Sequence, residues 1–154
     1  MTARVRGPVR EPVRLGARRR LAVYVIAGGA WTTGALWLVF HYFLQRKGDF
    51  GPAPHPLEHW WLTLHGAFAF GALWTLGLLS ASHILGGWST GRRRWSGGLL
   101  LAFVTTLAVS GYLLYYLGDE IPRKIASLIH WIMGLSSILF FVFHRIKSTT
   151  STST

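Results

Sequence analysis

Cysteine is absent from the 154 residues of this chain. That excludes disulfides, thiolate-held iron–sulfur clusters and the Cys-x-x-Cys-His attachment of c-type haem. Carboxylates are scarce as well: there are five, at Glu11, Asp49, Glu58, Asp119 and Glu120, and none lies inside a long apolar stretch. A carboxylate within a membrane span would have favoured a proton or ion pathway. A helix-borne cluster of His with carboxylates would have favoured a di-metal site. Nucleophile elbows, phosphate loops and Glu-His metal motifs are also missing, so readings as a soluble enzyme find no support.

What the chain does have is apolar surface. Half of its residues are hydrophobic, with eight Trp and nine Phe, and its charged side chains gather in short segments that leave four long stretches empty. These stretches run roughly over 21–44, 59–84, 97–117 and 125–143. Each approaches or exceeds the ~20 residues that cross a bilayer core, and lipid leaves an unpaired backbone no partner, so all four are expected to be helices. The expected fold is an all-α membrane protein, a four-helix bundle running up-down-up-down. Gly48, Gly51, Pro52, Pro54 and Pro56 mark the first connection, Gly86, Gly87 and Gly91 the second, and Gly118 with Pro122 the third. The first apolar run is too long for a signal-peptide core and reads as a retained span, with Arg18, Arg19 and Arg20 as its topology anchor.

Charge sets the expected orientation. Seven Arg before residue 21, Arg92 to Arg94, Arg145 and Lys147 share one side with Glu11 alone, and the whole net charge of +11 lies there. On the other side Arg46, Lys47, Arg123 and Lys124 cancel Asp49, Glu58, Asp119 and Glu120. The positive-inside rule then makes that side cytoplasmic and places both termini there. Basic residues that flank apolar spans do not form the stripe of a nucleic-acid binder. Residues 1–20 read as an Arg-rich, disordered tail lying on anionic lipid, and 147–154 as a solvated Ser/Thr tail.

The seven histidines carry the chemistry. His65 and His83 fall in the second span, His130 and His144 in the fourth, and alternate spans run parallel. At ~100° per residue, the 18-residue step from His65 to His83 returns to the same face, and the 14-residue step from His130 to His144 comes back within ~40°. Each helix therefore presents two imidazoles on one stripe, near opposite membrane surfaces. Ala69, Ala72 and Ser80, and Gly134 and Ser137, keep the stripes mostly small, with Leu76 and Phe141 as bulky exceptions. This geometry suits two stacked groups, each held by one His from either helix, as a porphyrin iron with two axial imidazoles is held. The steps measure ~27 Å and ~21 Å, a mismatch that tilt or a bend at Gly71 or Gly77 would absorb. His41, at the end of the first span, is a rival to His65 or His130, while His55 and His59 read as surface residues.

The segment from Leu128 through His130 to Phe143, His144 and Arg145 resembles the ligand helix of small bacterial di-haem cytochromes b. That group includes cytochrome b561 and the membrane gamma subunits of formate dehydrogenase and Ni/Fe hydrogenase. His83 to Trp88, followed by Arg92 to Arg94 and Trp95, is similar too, as is Ser110-Gly111-Tyr112. The chain looks closer still to a little-characterised cytochrome-b-like family of four-helix membrane proteins, over roughly residues 20–146. The resemblance implies haem b inside the bundle and electrons passed between a quinone pool and a redox partner protein or catalytic subunit, as in a respiratory chain. It implies an electron-transfer subunit rather than a stand-alone enzyme. The outer haem would be held by His65 and His130, the inner by His83 and His144. The His65–His83 step is wider than such helices commonly show, which keeps a one-haem version open. The alternative from another class is a non-redox anchor, assembly factor or small transporter whose histidines are structural.

Overall fold

A computed structural model describes residues 16–79 and 94–150, and the side chains at 94, 96 and 143–150 lie outside that description. Four long helices dominate: α1 (Ala17–Phe43), α2 (Pro56–Leu79), α3 (Arg94–Tyr116) and α4 (Glu120–Thr150). All four are long and apolar enough to cross a membrane. The expected four-helix membrane bundle is what forms.

The helices overrun the apolar stretches because hydropathy registers lipid contact, not helix ends. α1 begins before Arg18 to Arg20, α2 begins at Pro56, where a missing N–H is harmless, and α4 runs on to Thr150. Between α1 and α2 the expected turn is a small β-hairpin, β1 (Arg46–Gly48) and β2 (Gly51–Ala53), paired antiparallel with Lys47 opposite Pro52. Gly51 takes a φ of 122°, a conformation that costs a glycine little, and this turns the chain behind an exposed Phe50.

Packing is inverted relative to a soluble protein. Among the described residues only Thr33, Ser110 and Ala126 are buried, while Trp60, Phe70, Trp74, Tyr115 and Leu139 are among the exposed large side chains. Lipid is the solvent for such a surface, and small residues at the crossings let helices approach without a water-driven core. Hydroxyls inside the spans turn back onto their own helix: Thr33 Oγ1 donates to Gly29 O at 2.7 Å, Thr75 Oγ1 to Gly71 O at 2.8 Å and Ser137 Oγ to Gly134 O at 2.7 Å. Each is thereby satisfied without water.

Two helical hairpins, α1 with α2 and α3 with α4, make up the bundle, and they meet chiefly along α1 and α4. Trp31 Nε1 on α1 donates to Leu135 O on α4 at 3.2 Å, and Tyr24 meets Phe141 edge-on at 5.8 Å between ring centres. These ties set the position of one hairpin against the other.

Candidate functional site

The seam of the first hairpin is built from residues spaced three and four apart. Ala30, Gly34, Trp37 and His41 lie along α1, and Glu58, Trp61, His65 and Phe68 along α2. That spacing keeps each set on one helical face. His65 lies against Gly34: a Cβ built there would stand 2.9 Å from His65 Cε1 and 3.0 Å from Nδ1. The missing side chain is what gives the imidazole its place. Its Nδ1 reaches across to Ala30 O at 2.9 Å.

The second hairpin repeats the arrangement. His130 on α4 lies over Gly111 of α3, where a Cβ would stand 3.3 Å from His130 Cε1. Its Nδ1 is 2.9 Å from Ser110 Oγ, and Ser110 Oγ donates to Leu107 O at 3.2 Å. In both hairpins the glycine follows a buried hydroxyl residue, Thr33 before Gly34 and Ser110 before Gly111.

Hydrogen-bond direction bears on the tautomers. A carbonyl only accepts, so His65 carries a proton on Nδ1 that points at Ala30 O. Ser110 Oγ bonds both His130 Nδ1 and Leu107 O, and it accepts from His130 when that ring carries its proton on Nδ1. In the neutral Nδ1–H form an imidazole offers Nε2 as the lone pair that ligates a metal.

The two ring centres lie 6.1 Å apart with planes at 87°, an edge-to-face arrangement. Their depths match: His65 comes nine residues after the start of α2 and His130 ten after the start of α4, or ~14 Å and ~15 Å along the axes. An imidazole nitrogen binds a transition metal at ~2.0–2.1 Å, so two imidazoles on opposite sides of one ion have centres ~6 Å apart. The observed separation fits that demand. No group of three or more His, Cys, Asp or Glu able to hold a metal occurs among the described residues. A bare zinc-type ion needs three or four protein donors. Two imidazoles suffice for an iron whose other four donors come from a porphyrin.

The remaining histidines divide. His83 lies outside the described residues, and of His144 only the helical backbone is described. His41, the rival ligand, is placed elsewhere: its Nδ1 lies 2.7 Å from Glu58 Oε1 and its ring stacks on Trp37 at 4.6 Å. His55 caps α2, its Nδ1 accepting from Leu57 N at 3.1 Å. His59 is exposed beside Trp60.

Sequence reasoning picked out Ser110-Gly111 only through the family resemblance and missed Ala30 and Gly34. Thr33-Gly34 in the first span and Ser110-Gly111 in the third form a repeated hydroxyl-glycine step, and that repetition was the available signal. Ser110→Ala removes the side-chain partner of His130 Nδ1. A lost second-shell partner of a ligating histidine costs ~10–100-fold in metal affinity. Were His130 to ligate a haem, titration of the Ser110→Ala protein with haem would show a loss in that range, with thermal stability nearly unchanged.

No family model, curated protein or solved structure matches this chain.

Proposed function

We propose that this chain is a membrane-embedded b-type cytochrome subunit that relays electrons between a quinone pool and a partner redox protein. The carrying observation is the close pair of imidazoles, His65 and His130, with both Nδ1 atoms engaged and ring centres 6.1 Å apart. These two residues would hold one haem b. In the same reading His83 and His144 hold a second haem nearer the Arg-rich ends, which face the cytoplasm under the positive-inside rule.

Bound haem, held by His65 and His130, would supply a one-electron couple. The chain's own residues do the rest. Ala30 O and Ser110 engage the two Nδ1 atoms, which orients the rings, and a hydrogen bond from Nδ1–H raises the basicity of Nε2. Gly34 and Gly111 let each ring lie against the neighbouring helix. The Trp31–Leu135 bond keeps α1 and α4 in register, so that His130 stays opposite His65.

Purification in detergent from haem-replete cells tests the reading. A red protein with a dithionite-reduced b-type spectrum is expected. Colourless protein would leave the same hydrogen bonds as structural ties of an anchor or assembly factor.

A further inference from the structure

The α1–α2 seam does not end at His65. Toward the β-hairpin it reaches a second rung, where His41 Nδ1 of α1 meets Glu58 Oε1 of α2 at 2.7 Å. His41 follows Gly34 by seven residues on α1, and Glu58 precedes His65 by seven on α2. Seven residues make two helical turns and return to within ~20° of the same face, ~10.5 Å along the axis. Because the two helices of a hairpin run in opposite directions, equal steps bring both rungs into one register. The Gly34–His65 contact and the His41–Glu58 pair are therefore two marks of a single alignment. Among the described residues this is the one contact of a carboxylate with a basic group that joins two helices, since Lys124 and Glu120 share α4.

We infer that His41 and Glu58 are positioning residues for His65: their pair fixes how far α1 is advanced along α2, and so which carbonyl of α1 lies at His65 Nδ1. The inference rests on the haem reading only for its consequence on iron binding. A glycine leaves room without holding, and a backbone carbonyl recurs on every residue, so neither Gly34 nor Ala30 O selects the alignment. Phe68 packs at Gly29 on the other side of His65, but apolar contact is non-directional. A hydrogen bond to a carboxylate is short and directional. A slip of one residue moves a helix by ~1.5 Å, enough to break this bond and the one from His65 to Ala30 O together.

Each partner is itself held in place. Glu58 stands in the first turn of α2, the helix end that favours negative charge, and His41 in the last turn of α1, the end that favours a donor. Glu58 is only 14% exposed, so water competes little for its carboxylate. Trp37 stacks on His41 with ring planes 17° apart, and Gln45 Nε2 donates to His41 O at 2.9 Å. Between the two rungs Phe40 and Trp61 fill the seam, with ring centres 6.0 Å apart.

The test reads His65 directly. Full-length protein carrying isotope-labelled histidine, purified in detergent without haem, should give an NMR signal from the hydrogen-bonded Nδ1–H of His65, assigned by its loss in His65→Ala. Glu58→Ala and His41→Ala are expected to abolish that signal or to speed its solvent exchange about tenfold or more, while the His130 ring is unaffected. Glu58→Gln keeps an oxygen of the same reach and should preserve the signal. Glu120→Ala, in the exposed pair with Lys124, should leave it unchanged. Haem affinity should fall about tenfold in the two alanine variants of the pair. These variants remove the pair from opposite sides, so if one fails to fold the other still decides. An unchanged His65 signal in a folded Glu58→Ala or His41→Ala protein overturns the positioning role, whatever the haem content. A protein that binds no haem as wild type, yet loses the His65 signal in these variants, overturns the haem reading and leaves the positioning role standing.

Discussion

His65→Ala, His130→Ala and the double variant should each lose one haem per chain, and the double variant should lose no more than either single. Two axial ligands on one iron act as a unit, so removing the second costs nothing further. The fold should survive these changes. Ala30 O lies in the interior of α1 and also serves the helix, and Ser110 Oγ keeps its bond to Leu107 O after His130 is gone. Each substitution therefore costs about 1 kcal/mol of hydrogen bonding, and the loss of haem would not be a consequence of unfolding. Pyridine haemochrome assay against protein concentration measures the ratio. Additive losses, or full haem content in either single variant, would show that these two residues do not share one iron.

The same assay bears on the second pair. His83→Ala and His144→Ala should remove a different haem, and combining either with His65→Ala should empty the protein. A ratio of one haem in wild type, lost only with His65 or His130, would establish the one-haem version.

Much of this architecture is legible in the sequence, for reasons that differ from element to element. The four spans are legible because lipid imposes a length and a composition at once. That the second and fourth spans run parallel follows from alternation, and this is what lets His65 and His130 fall at similar depths. Their hydrogen-bond partners are a different matter. Ala30 contributes a backbone carbonyl, which every residue possesses, so no residue type announces it. Ser110 was recognisable only as part of a family resemblance, and its counterpart Thr33-Gly34 shows its meaning once His65 is seen lying over Gly34. Glu58 was set outside the second span because a charge seemed to end the apolar run. The helix in fact starts at Pro56, and this turns Glu58 onto the seam toward His41. Charge marked the edge of the lipid, and the helix had begun before it.

Gly34→Ala should nearly abolish haem binding at the His65 site, while Gly111→Ala should only weaken it. The difference lies in a few tenths of an ångström. A methyl group at position 34 would stand 2.9 Å from His65 Cε1 and 3.0 Å from Nδ1, closer than carbon and ring atoms pack, so the ring must move. Moving it breaks the bond from Nδ1 to Ala30 O and changes the placement of the ring against His130. At position 111 the nearest approach is 3.3 Å, which a small tilt of the His130 ring relieves while its bond to Ser110 persists. Affinity is expected to fall by roughly 100-fold or more in the first variant and by less than about tenfold in the second, since the first also sacrifices the second-shell bond. Helix propensity pulls the other way: replacing an interior glycine by alanine favours a helix by ~1 kcal/mol. Gly34→Ala apoprotein should therefore be no less heat-stable than wild-type apoprotein while binding haem far worse. Haem titration set beside thermal unfolding separates the two effects. A Gly34→Ala protein that binds haem as wild type does would mean that α1 and α2 can part to admit the methyl group, and that the close approach at Gly34 does not position His65.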